Sequence, residues 1–336
     1  MSVPALQTRD LSIGYPRRRQ GDICLARALN LRLEPGSLAG LLGPNGVGKS
    51  TLLRTLAGMQ APLAGKVLLG GADARRMAPG NLAKALSLVL TNSPQPSLMT
   101  GFELVALGRL PHSDWLGRLS ERDRKTIRWA LGAVNAEALG GQLVTELSDG
   151  QRQKLMIARA LAQETAIMLL DEPTAFLDLP RRVEVMRLLK RLAHQTGRGI
   201  LVSTHDLDQA LRNCDQLWLM REGAMLVGVP EDLVLDGGIT ETFHTDGIRF
   251  DEDSGAFAAE SPAGAAICVK GRGTRQTWMR RALARKGYRL DPAAGVAGIS
   301  LGQNGQGPEW HLAIGGRLSR HHSVAAVLEA LKDAEI

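Results

Sequence analysis

Cysteine is scarce: Cys24, Cys214 and Cys268 are the three in 336 residues, far apart and without a C-x-x-C pair. That spacing excludes a disulfide framework and a thiolate zinc cluster, and it fits a reducing compartment. Aromatic residues make up only 4% of the chain, which leaves few platforms for stacking single-stranded nucleic acid. No apolar run approaches the ~18 residues of a membrane span. The opening segment MSVPALQTRD lacks the basic stretch and apolar core of a secretory signal. The chain is therefore expected to be soluble by itself, with any membrane role coming through a partner. Internal repeats and low-complexity tracts are also missing.

What is present is a globular composition, 44% hydrophobic and 22% charged, over a length that suggests two domains. The formal charge of +7 raises three partners: nucleic acid, an anionic membrane surface or a phosphate-rich ligand. It divides into +5 over residues 1–244 and +2 over 245–336, so neither part reads as a concentrated polyanion-binding module.

Leu29, Leu31 and Leu33 alternate with polar residues, the period of a half-buried strand, and Pro35-Gly36 closes it. Apolar runs at 37–42, 167–171 and 199–203 read as buried strands. Helical stretches are expected at 49–57, 79–85, 101–110, 120–132, 150–163 and 180–196. Thr100 with Glu103, and Ser148 with Gln151, have the spacing of capping boxes. Strands alternating with helices argue for a mainly parallel α/β sheet. Near 244 the character changes: 245–265 reads as an irregular linker. A small α+β unit is expected over 266–336, with strands at 266–270, 296–301 and 309–314 and helices at 275–287 and 322–335.

Gly43-Pro44-Asn45-Gly46-Val47-Gly48-Lys49-Ser50-Thr51 matches G-x-x-x-x-G-K-[ST] at every fixed position, after an apolar strand and before a helix. Such glycines let successive backbone N–H groups turn inward around phosphate oxygens, and the helix N-terminus adds partial positive charge. Lys49 is placed to reach the β- and γ-phosphates of a nucleotide and Ser50 to offer a hydroxyl to Mg²⁺. Asp171 and Glu172 close the strand IMLLD. An acid there can hold Mg²⁺, and its neighbour can polarise the water that attacks the γ-phosphate.

Leu147-Ser148-Asp149-Gly150-Gln151, followed twenty residues after Gln151 by Asp171, resembles the signature motif of ABC ATPases. The resemblance covers roughly residues 5–244. It implies a P-loop NTPase fold with a mainly parallel sheet, an antiparallel β subdomain and a helical subdomain. It also implies that the signature residues act in trans, on ATP bound by a second subunit. By the same resemblance Asp178 belongs to the D-loop, His205 contacts the γ-phosphate from the H-loop, and Tyr15 stacks on adenine. The family's Q-loop glutamine falls on Thr91, a departure that shortens the side chain and removes its amide; Gln95 could substitute only if the loop slid.

The segment ELVALGRLPHSDWLGRLSERD, 103–123, resembles ATPase subunits of bacterial importers for iron–siderophore complexes, haem and cobalamin. That likeness implies a homodimer that hydrolyses ATP beneath integral-membrane permease subunits, on the cytoplasmic face of the cell membrane, served by a substrate-binding protein, with no nucleic acid bound. The competing class is a soluble ABC-type ATPase acting on nucleic acid or ribosomes, kept open by the basic charge and by Arg17-Arg18-Arg19. The 96 residues between Thr51 and Ser148 leave no room for the long coiled-coil insertion of chromosome ATPases.

The C-terminal unit carries no readable catalytic motif. Arg275, Arg280, Arg281, Arg285, Lys286 and Arg289 crowd one helix and its end, most simply as a solvated face. His311, His321 and His322 lack an acid or thiol at metal-ligand spacing.

Overall fold

The computed structural model describes residues 3–17, 21–90, 98–114, 117–245, 248–252, 255–259, 264–291, 293–294, 297–304 and 307–334. Two units follow from how the chain packs: residues 1–245 with 250–256, and residues 246–249 with 257–336.

The first unit is built on a six-stranded sheet in the order Ala224–Gly228, Gln216–Arg221, Leu38–Leu42, Gly199–Ser203, Ile167–Asp171 and Leu86–Val89. Five of these strands run parallel and Ala224–Gly228 is antiparallel at one edge. Leu38–Leu42, Ile167–Asp171 and Gly199–Ser203 are buried along their whole length, which is why they read as continuous apolar runs. Successive side chains still serve opposite faces. Met168 and Leu170 pack with the helices on one side, while Ile167 and Leu169 pack with the second sheet on the other. That second, antiparallel sheet joins Ile23–Leu29, Leu6–Tyr15, Ala64–Leu69 and Ala72–Asp73, with Arg32–Leu33 paired to Leu6–Tyr15.

A helical group at Gly101–Ala106, Glu121–Ala133 and Asp149–Ala162 packs around Ile127, Leu131, Leu155 and Ile157, all buried. Capping boxes open all three: Thr100 with Glu103, Ser148 with Gln151, and Ser120 with Asp123. The third is not among the boxes read from the sequence, because its N3 residue is Asp rather than Glu or Gln.

Arg109 is the ionic centre of this group. It is 2% exposed, and its Nε donates to Asp123 Oδ1 at 2.8 Å. Its Nη1 donates to the Ala162 carbonyl and to Glu164 Oε2, both at 2.6 Å. One guanidinium thus pins the start of Glu121–Ala133 to the end of Asp149–Ala162. Removing one partner of a buried pair leaves the other charge unpaired, so Arg109→Met is expected to cost about 3–5 kcal/mol in urea unfolding. Burial works against ionisation of Asp123, but hydrogen bonds from Ser120 and Arg109 and the Arg109 charge outweigh it and bring its pKa down to about 2. A carboxylate depressed on folding stabilises fully above the unfolded value of about 4, and this contribution disappears as pH falls through the folded value. The stability gap between wild type and Asp123→Asn should therefore be constant above about pH 5 and narrow below about pH 4.

The second unit contains a five-stranded sheet in the order Arg289–Leu290, Ala266–Val269, Ala297–Asn304, Gly307–Ile314, Arg317–His321. Helices Thr274–Arg285 and Val324–Asp333 pack Met279, Leu283 and Val327 with Ile267, Ile299 and Leu312 of the strands. Four features differ from the sequence expectation. Arg317–His321 is a further strand, antiparallel to Gly307–Ile314, and the last helix begins only at Val324. Residues 289–290 add a short parallel edge strand. The stretch read as an irregular linker contains two strands, Ile248–Asp251 and Ala256–Ala259, that pair with each other.

Candidate active site

The strand Leu38–Leu42 runs into the glycine loop, and Lys49–Leu56 leaves it as a helix. Gly46 and Gly48 have φ of +78° and +115°, values that a side chain would strain. No side chain caps this helix and no acid lies in its first turn, so its leading N–H groups and dipole are left for an anion. Lys49 is 6% exposed; its Nζ donates to the Gly43 and Pro44 carbonyls at 2.8 and 2.9 Å. Burial lowers the Lys49 pKa, while the charges of Glu172 and Asp171 oppose that shift. Those contacts hold the ammonium beneath the loop.

Asp171 ends its strand directly opposite Ser203 of the neighbouring parallel strand. Ser203 Oγ donates to Asp171 Oδ1 at 2.7 Å and accepts the Glu172 N–H at 2.9 Å. Ser50 Oγ lies 3.5 Å from the same Asp171 oxygen. A hydroxyl and a carboxylate beside a phosphate loop suit Mg²⁺, which takes one or two protein oxygens and completes its shell with water and phosphate. Glu172 adopts φ +49°, rare for a residue with a side chain, and its Oε1 is 2.5 Å from His205 Nε2. These two residues, with Thr174, Arg182 and Asp206, line an open cavity of about 200 Å³. Tyr15, 44% exposed, shares a 2.9 Å hydrogen bond between its hydroxyl and Thr51 Oγ1, which sets its ring beside the loop helix.

A second group forms around Ser148. Its Oγ accepts the Gln151 N–H at 3.3 Å, and its own N–H donates to Gln151 Oε1 at 2.8 Å. Leu147 and Gly150 are buried beside it, and the Asp149 carboxylate pairs with Arg152. Asp178 caps the helix Leu179–Thr196 by accepting the Arg181 N–H at 3.0 Å. The structure thus gathers Lys49, Ser50, Asp171, Glu172 and His205 at one end of the parallel sheet, with Tyr15, at the end of its strand, bonded to Thr51 of the loop helix, and it gathers Ser148, Gly150 and Gln151 at a helix start. Thr91 and Gln95 lie outside the described residues. Sequence reasoning missed the bridging role of Ser203 and the position of Arg181 against the signature loop. Both depend on chain segments that meet only in the fold.

The ABC transporter family profile matches residues 26–175, and the iron ABC transporter C-terminal domain profile matches 264–332. An ABC transporter ATP-binding protein of Methanocaldococcus jannaschii is 41% identical over 253 residues, 75% of this chain and 86% of that protein. This chain belongs to the ABC transporter ATP-binding family. The ferric enterobactin transport ATP-binding protein FepC of Escherichia coli is 38% identical over 69% of this chain and 84% of its own length. Among solved structures, the dimeric post-hydrolysis state of the ATP-binding cassette MJ0796, bound to ADP and phosphate, aligns with a TM-score of 0.58 and 27% identity. That alignment covers 67% of this chain and 98% of the cassette. As a member of the ABC family the chain is an ATP-hydrolysing subunit, and its first unit has the cassette fold.

Proposed function

We propose that two copies of this chain hydrolyse ATP in sites shared between them and drive the uptake of an iron chelate through membrane permease subunits. One observation carries the reading: a single chain presents one phosphate loop with its acids and one capped signature helix, so a second subunit supplies the other half. In this reading Tyr15 stacks on adenine, the loop residues 43–51 hold the phosphates, and Lys49 neutralises part of their charge. Ser50 and Asp171 would hold Mg²⁺, which supplies further neutralisation of the phosphate oxygens when bound. Glu172 takes the proton of the attacking water, and His205, whose Nε2 lies 2.5 Å from Glu172 Oε1, orients it and meets the γ-phosphate. Leu147–Gln151 closes over that phosphate from the opposite copy, with Asp178 at the junction. Closure follows because the γ-phosphate binds the closed arrangement better than the open one, and hydrolysis removes that difference.

The substrate class rests on relatives named for ferric enterobactin and for iron(3+)-hydroxamate, the latter from Bacillus subtilis and 39% identical over 66% of this chain. It also rests on the iron ABC transporter C-terminal domain match. A permease partner, a substrate-binding protein outside the membrane and a position on the cytoplasmic face of the membrane belong to the same proposal. No described helix is long and apolar enough to cross a membrane. Affinity purification of the chain from detergent-solubilised membranes tests this. Recovery of a hydrophobic integral-membrane protein is expected. Recovery of nucleic acid in its place, with nucleic-acid-stimulated ATP hydrolysis, would support the soluble alternative.

A further inference from the structure

We propose that Arg181 reaches across the dimer to the terminal phosphate of ATP held by the other copy, completing each shared site with a guanidinium. The inference rests on the shared-site reading above and adds a residue to it. Arg181 lies in the first turn of Leu179–Thr196, where Asp178 accepts its N–H at 3.0 Å and places Oδ2 3.6 Å from its Nε. From there the side chain crosses to the signature loop. Its Nη1 is 3.4 Å from Ser148 Oγ, and a Cβ built on Gly150 would sit 3.0 Å from Arg181 Cδ. Gly150 is therefore the seat on which the arginine lies. The side chain remains 48% exposed, so donors of its five-N–H fork still face outward beside the hydroxyl that meets phosphate.

Charge explains why this arginine matters. The signature loop by itself offers a hydroxyl, backbone N–H groups and a helix dipole, with no full positive charge. Its other guanidinium, Arg152, is engaged by the Asp149 carboxylate and the Leu147 carbonyl. Asp149, inside the loop, adds a carboxylate next to an incoming phosphate. On the opposite face of that phosphate, Lys49 feels both Asp171 and Glu172. Arg181 is the guanidinium packed directly on Ser148 and Gly150, and a planar fork suits phosphate oxygens. An arginine offered in trans to a γ-phosphate stabilises both the closed complex and the charge that develops on transfer.

The test uses the full chain carrying Glu172→Gln, with the ATP concentration for half-maximal dimer formation read by light scattering. Adding Arg181→Gln is expected to raise that concentration about 10- to 100-fold, while binding of a fluorescent ATP analogue to the monomer stays unchanged. Arg181→Lys keeps the charge and should recover most of the loss. If Arg181 only props Ser148, glutamine, which can still hydrogen-bond, should do as well as lysine; that ranking, or no shift in either variant, overturns the proposal. Thermal melts of both variants identify any loss of folding. Mixing a Lys49→Ala copy with an Arg181→Gln copy, both in the Glu172→Gln background, leaves one intact shared site. Dimerisation of the mixture near the parent's ATP concentration supports action in trans, and failure of the mixture overturns it. If the Glu172→Gln parent itself does not dimerise with ATP, the shared-site reading fails and takes the proposal with it, an outcome distinct from a parent that dimerises without regard to Arg181.

Discussion

Replacing Glu172 with glutamine should lower ATP turnover by about 100-fold or more, leave ATP affinity within about twofold, and yield a dimer that persists only with ATP. The reason lies in how the carboxylate is held. Its backbone is fixed by the Ser203 hydroxyl at 2.9 Å in a left-handed conformation, and Oε1 is fixed by His205 at 2.5 Å. A glutamine occupies the same volume and can keep the His205 contact, but it cannot accept a proton from water. General-base catalysis contributes about 10²–10⁴-fold, which sets the size of the loss. Binding energy from the γ-phosphate is untouched, so the closed state accumulates instead of being consumed by hydrolysis. Phosphate release and light scattering on the same sample measure the two effects. Turnover at the wild-type rate would move the base to another residue.

Replacing Lys49 with alanine should weaken ATP binding by about 100-fold and remove hydrolysis with it. The ammonium is 6% exposed and held by two carbonyls of the loop itself. Its loss therefore removes a positive charge and also the internal brace that keeps the loop open around phosphate. Two charge-assisted hydrogen bonds at a low-dielectric site are worth about 3 kcal/mol, the scale of that change in affinity. Titration of a fluorescent ATP analogue reads it directly. Arg109→Met serves as the contrast, because its expected loss is in stability, with ATP affinity of the folded fraction retained.

The nucleotide loop was legible in the sequence because its chemistry is local. Gly43, Gly46, Gly48, Lys49 and Ser50 lie within eight residues, and their strand and helix neighbours are apolar enough to be read. The signature helix was legible for the same reason, since Ser148 and Gln151 form a cap over three residues. Ser203 was not, because its bridge between Asp171 and Glu172 comes from the register of two parallel strands that are distant in sequence. Arg109 was seen as part of a helical segment, yet its partners Asp123 and Glu164 come from two other turns of the fold. In the second unit, Arg317–His321 escaped notice because four of its five residues are exposed and its pattern has no apolar face. An edge strand of that kind is held by main-chain pairing to Gly307–Ile314, which composition does not register.

Transport by the reconstituted complex is the most direct measure of the proposed function. The chain would be reconstituted in lipid vesicles with the proposed permease and binding protein, and uptake of a radioactive ferric siderophore followed with ATP supplied on the side of this chain. The expected result is uptake that requires ATP and stops with Glu172→Gln, while the permease complex stays assembled. Uptake that continues at the same rate in that variant, or ATP hydrolysis with no dependence on the permease in any of the chelates tested, would contradict the account.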